Sequence, residues 1–76
     1  MMKTTELLVG DNVRLVSFGN TGSAYRRRLL SLGVTQGVTV RVIRSAPLGC
    51  PLQLEVRGTW LSIRKDESSE LIWERI

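Results

Sequence analysis

Two glycines, Gly33 and Gly37, bound what this chain can fold into. Ahead of them runs Tyr25-Arg26-Arg27-Arg28-Leu29-Leu30-Ser31-Leu32, a short basic stretch of helix-forming residues. Gly33 fits the left-handed position that commonly ends a helix. Gly37 resets the backbone, and an alternating strand pattern starts at Val38. Ser23 reads as the N-cap, because its hydroxyl can accept from free N–H groups in the first turn. The sequence therefore predicts one helix over residues 24–32. At about 100° per residue, Tyr25, Leu29 and Leu32 form one apolar stripe, the face a helix turns to a core. Leu30 falls off that stripe, between Arg26 and Arg27, and is expected to be exposed.

The rest of the chain reads as strands. Thr4 or Thr5 can cap a single turn through Leu8, setting Leu7 and Leu8 against the core before Gly10-Asp11-Asn12 turns the chain. Val13 to Phe18 is the first strand, with apolar residues on both faces, as in a curved strand of a barrel. Val38 to Ala46 alternates, and so do Leu52–Arg57 and Thr59–Arg64. Pro47 and Pro51 bound a loop, because neither can donate to a ladder. Centring the hairpins on Gly49 and on Arg57-Gly58 pairs Leu54 with Leu61 and Leu52 with Ile63 inside. The same registration places Ile43, Glu55 and Trp60 in one outer row. Lys65–Glu70 is a polar helical turn, and Leu71–Ile76 closes the sheet. Five short strands, one helix and corner glycines point to a mainly β fold, a small SH3-like five-stranded barrel. The length allows one domain, residues 1–76.

Composition narrows the chemistry. There is no histidine and one cysteine, Cys50. An internal disulfide is excluded, and so is any Cys/His zinc site within one chain. No histidine is available as a general base or to activate the thiol. Gly19-Asn20-Thr21-Gly22 precedes the helix but lacks the lysine ending of a phosphate loop. No catalytic residue, metal site or cofactor is assigned, and an enzyme is not expected. No segment has the apolar length of a signal peptide or a membrane span, so the expected location is the cytoplasm without membrane insertion.

The net charge is +4 and the pI about 10.2, which favours acidic partners. Arg26, Arg27 and Arg28 stand near a helix start, where the macrodipole disfavours cations. They are either a solvated face or a docking face for carboxylates or phosphates, with Leu30 inside the patch. Leu48 stands at the tip of the proline-bounded loop, beside Gly49 and Cys50. Ile43 and Trp60 either pack under neighbouring segments or form an apolar spot through which two copies associate. The four aromatic residues (Phe18, Tyr25, Trp60 and Trp73) make no stacking platform, and stable nucleic-acid binding is not expected.

Three segments in this order and spacing carry a family resemblance: Tyr25 through Gly37, Ala46-Pro47-Leu48-Gly49-Cys50-Pro51, and Leu61-Ser62-Ile63-Arg64-Lys65. Together they resemble the ferrous iron transport protein A (FeoA) family, over nearly the whole chain. The resemblance implies an SH3-like barrel in the cytoplasm, accessory to a membrane Fe(II) transporter with a cytoplasmic G-protein domain. It directs attention to Arg26, Leu29, Leu32, Leu48 and Gly49. Leu29 and Leu32 belong to the core stripe. Arg26, Arg27, Leu30, Leu48, Gly49 and Cys50 are therefore the candidates for partner contact. The sequence departs from the family pattern at Cys50, where an aspartate usually stands and would cap the turn. A nucleic-acid-binding barrel and a self-associating regulatory domain using Ile43 and Trp60 are the alternative readings.

Overall fold

A computed structural model describes residues 1–47 and 50–76. In chain order these form β1 (Met2–Lys3), a 3-10 turn (Thr4–Glu6), β2 (Asn12–Ser17) and α1 (Ser23–Ser31), followed by β3 (Thr39–Ser45), β4 (Leu52–Val56), β5 (Thr59–Ile63) and β6 (Ile72–Arg75). All pairings are antiparallel, in the order β1-β6-β2-β3-β4-β5. The two-residue β1 adds a sixth strand to the five expected. The hydrogen bonding leaves β1 and β5 as edges, so the sheet curls around its core without closing.

Alternation dictates which residues fill that core. Val13 and Leu15 of β2, Val40 and Val42 of β3, and Leu52, Leu54 and Val56 of β4 are all buried. Each set repeats every second residue, as a strand with one covered face requires. The β4–β5 hairpin has the expected register, with Leu54 opposite Leu61 and Leu52 opposite Ile63. Arg57 and Gly58 both have positive φ, 52° and 81°, the backbone of a two-residue turn whose twist matches the strands.

The β3–β4 register differs from the sequence expectation. Glu55 lies opposite Arg41, and the pairing shifts between Val42 and Arg44. A bulge at Ile43 absorbs the extra residue. The outer row is therefore Arg41–Glu55–Trp60, and Ile43 is half-buried outside it. A second bulge, between Leu15 and Ser17 against β6, ends the alternation of β2. Phe18 then follows the strand into the core.

The N-terminal turn is built differently from a capped turn. Lys3 stands at the cap position, and its N–H donates to the Glu6 carboxylate at 2.8 Å. Thr4 is fully buried. Its hydroxyl donates to the Ser68 carbonyl at 2.7 Å and accepts from the Trp73 indole at 2.9 Å. Leu7 enters the core while Leu8 stays exposed. Among the described residues, no helix is long and apolar enough to cross a membrane.

Candidate functional site

The candidate site is the outer face of α1. Gly22 stands at its N-cap position without a side-chain capping bond, and Ser23 is the first helical residue rather than the cap. The approach to it is fixed upstream, where the Phe18 carbonyl accepts from both the N–H and the hydroxyl of Thr21, at 3.1 and 2.5 Å. The first helical turn holds no acid.

The end of the helix explains which leucines are buried. Val34 N–H donates to the Leu29 carbonyl at 2.9 Å, and Gly33 N–H to the Leu30 carbonyl at 3.1 Å. Gly33 has φ +92°. This crossed pair of bonds around a left-handed glycine satisfies carbonyls left free at a helix end, and it brings the residue after the glycine back against the last turn. Val34 thereby takes the core position expected for Leu32. Val34 and Leu29 are each 1% exposed, whereas Leu32 is 45% exposed. The apolar stripe reduces to Leu29 and a half-buried Tyr25.

Arg26, Arg27 and Arg28 are all exposed. The Arg26 guanidinium lies 5.1 Å from the centre of the Phe18 ring, within range of a cation–π contact. Arg28 falls in the last turn of this 9-residue helix, where the dipole favours a cation. The electrostatic conflict read from the sequence is thus confined to Arg26 and Arg27. Leu30 is 43% exposed. It stands four residues after Arg26 and three after Arg27, spacings that make side chains neighbours on a helix surface. The face therefore presents two guanidiniums around an apolar side chain, whereas the exposed Leu32, two residues on, lies on the other side of the helix with Tyr25. Beside it, Tyr25, Arg28 and Leu32 share a crevice of about 70 Å³ with Ser62, Arg64 and Glu67.

The other sequence candidates do not join this face in any described contact. Cys50 is exposed and free. Leu48 and Gly49 lie outside the described residues. Trp60 is 60% exposed, and its indole donates to Glu55 at 3.3 Å. Ile43 is separated from it by the bulge, so the two do not form one row. Among the described residues, no group of three His, Cys, Asp or Glu side chains is placed to hold a metal ion.

Comparison with known proteins bears on what such a face serves. A solution structure of an FeoA protein from Chlorobium tepidum is 35% identical and superposes with a TM-score of 0.89, over 99% of this chain and 70% of that one. An FeoA from Stenotrophomonas maltophilia, crystallised with zinc, is 27% identical with a TM-score of 0.79, over 97% and 91% of the two chains. That protein is described as a prokaryotic SH3 domain protein and a candidate ferrous iron transport activating factor. A curated relative from Porphyromonas gingivalis, an Fe(2+) transport protein A/Fe(2+) transporter FeoB fusion protein, is 29% identical over 75 residues. The match covers 99% of this chain but only 9% of the fusion's length. The FeoA domain model matches residues 2–75, and the chain accordingly belongs to the FeoA domain family.

Proposed function

We propose that this chain is a cytoplasmic, non-catalytic interaction module of ferrous iron uptake, which docks on the G-protein region of a membrane Fe(II) transporter and modulates it. The observation that carries this reading is the fused relative, in which a matching domain and a transporter share one polypeptide. Fusion holds two modules at high effective concentration, which favours a direct contact between them through a binding face. The α1 face has the chemistry for that task. Arg26 and Arg27 present planar, permanently charged donors that suit carboxylates. Leu30 supplies apolar area at the centre of the patch, where contact residues lose most water. The loop carrying Leu48, Gly49 and Cys50 is the second contact in this reading, and residues 1–76 act as one domain.

The test is capture from detergent-solubilised membranes of the source organism, with bound proteins identified by mass. The wild-type chain is expected to retain a large transporter with a G-domain. The double reversal Arg26→Glu/Arg27→Glu is expected to lose it while remaining folded. Equal capture by the reversed variant would rule out α1 as the docking face.

A further inference from the structure

Docking through α1 and the loop carrying Leu48, Gly49 and Cys50 leaves the outer face of β3, β4 and β5 without a role. The registers set two cross-strand rows there: Arg41, Glu55 and Trp60 in one, and Arg44, Gln53 and Ser62 in the next. At the end of the β3–β4 hairpin, Arg44 and Gln53 join Ser45, Ala46, Pro47 and Pro51 around a groove of about 580 Å³. That volume lies in the range of sites that hold a ligand or a short stretch of chain.

The groove has apolar walls and three polar side chains; the Ser45 hydroxyl donates to the Ala46 carbonyl at 3.5 Å, while among the described residues Arg44 and the Gln53 oxygen lack a counterpart. Arg44 is exposed, and among the described residues it forms no salt bridge. The Gln53 carboxamide oxygen is buried and accepts no hydrogen bond. Native folds keep such orphaned acceptors rare, because burial strips off water without returning a donor. A bound N–H would satisfy this one, and a bound carboxylate would satisfy Arg44. Ala46, Pro47 and Pro51 offer aliphatic surface between them and no aromatic ring on which a base could stack.

We propose that this groove binds an extended acidic segment of a partner protein. An N–H of the segment donates to the Gln53 oxygen, a carboxylate pairs with the Arg44 guanidinium, and aliphatic side chains rest on Ala46, Pro47 and Pro51. The surface is separate from the α1 face; Pro47 and Pro51 flank the loop that the docking reading also uses, but the test below does not depend on the transporter.

The experiment is a nuclear magnetic resonance titration of the full isotope-labelled chain. The probe is an acetylated, amidated pentapeptide of alternating leucine and aspartate, with the leucine–lysine counterpart as control. The expected result is saturable shifts of the Gln53 side-chain amide and the Arg44 Nε–H, with the lysine peptide silent. Arg44→Glu and Gln53→Leu should each weaken binding by about tenfold, the loss expected on removing a bond to a charged or buried group. Should Arg44→Glu fail to fold, Arg44→Gln keeps the stem and removes the charge. Shifts confined to α1, an equal response to the lysine peptide, or undiminished binding by the Arg44 variant would each overturn the proposal. The same would follow if a single-stranded oligonucleotide, rather than the aspartate peptide, moved the Arg44 and Gln53 signals.

Discussion

The indole N–H of Trp73 donates to the hydroxyl of Thr4 at 2.9 Å, across a sequence separation of 69 residues. The same hydroxyl donates onward to the Ser68 carbonyl at 2.7 Å. Thr4, Ser68 and Trp73 are each 0% exposed. One buried oxygen thus ties the N-terminal turn, the 65–70 turn and the closing strand together. It uses both the donor and the acceptor that a hydroxyl offers.

Thr4→Val should therefore destabilise the fold without changing its shape. Valine matches threonine in size but orphans the buried Trp73 N–H, while the Ser68 carbonyl keeps its bond from the Leu71 N–H at 3.1 Å. The orphaned N–H costs about 1–3 kcal/mol. Thr4→Ser keeps the oxygen and loses one methyl, worth about 1 kcal/mol. Urea unfolding followed by circular dichroism checks the order. A valine variant as stable as the serine one would show that the bridge contributes little.

Gly19 is expected to be the least replaceable glycine of those with positive φ. It has φ +57°, and a Cβ there would run into the Glu70 carbonyl oxygen, a backbone atom that cannot swing away. Gly33 has φ +92°, but a Cβ there meets only Val56 Cγ1, at 4.0 Å. Gly33→Ala should then cost about 1–2 kcal/mol, the left-handed strain alone. Gly19→Ala adds overpacking of about 1–3 kcal/mol to that strain. Chemical denaturation of both variants measures the difference.

How much of this was legible follows from the range of each constraint. The β4–β5 register could be read because a two-residue turn at Arg57-Gly58 fixes the pairing locally. The β3–β4 register could not, because its connection is longer and the bulge at Ile43 has no residue-type signature. That single shift removed Ile43 from the row of Trp60. Leu32 was misplaced because periodicity was extended past the point where Gly33 turns the chain, and Val34 took its place. Thr4 resembled a cap because a hydroxyl near a turn usually acts locally, whereas its partners lie over sixty residues away. At the candidate site, the exposure of Arg26, Arg27 and Leu30 followed from helical geometry alone. The orphaned oxygen of Gln53 had no sequence signal, since alternation says only that Gln53 faces outward.

Asp11 gives the fold an acid-sensitive joint. Its carboxylate accepts from the Leu8 N–H at 2.9 Å and from Arg75 at 3.1 Å. The Leu8 bond first, and then Arg75, holds its pKa below the ordinary value of 3.8. Both partners favour the charged form, so folding is helped fully above the unfolded-state pKa. That help is lost as pH falls through the lower folded-state value. Asp11→Asn removes the titration and the ion pair with Arg75. The wild-type advantage over this variant should be largest near neutrality and should close below about pH 4, where aspartate takes up its proton. Thermal melts of both proteins across that range test the sign. A gap that widened in acid would show that the charged form is not the stabilising one.

Within the docking face, Arg27 and Leu30 should separate binding from stability more cleanly than Arg26 does. Arg26 lies over the Phe18 ring, and a cation–π contact at such an exposed site is worth about 0.5–1 kcal/mol. Arg26→Glu therefore changes the fold's stability as well as its charge. Arg27 has no such contact, and Leu30 points away from the core that Leu29 enters. The pair Arg27→Glu/Leu30→Ser is expected to shift stability by less than about 0.5 kcal/mol, as exposed substitutions usually do. It should nevertheless abolish capture of the transporter. The charge and apolar parts separate by salt, because screening weakens exposed ion pairs beyond about 10 Å at 0.1 M and leaves apolar contact intact. Arg27→Glu alone should flatten the salt dependence of binding, and Leu30→Ser alone should lower affinity equally at every salt concentration. If both single variants bind as the wild type does at low salt, the contact lies elsewhere on the molecule, and α1 is only a lid over the sheet.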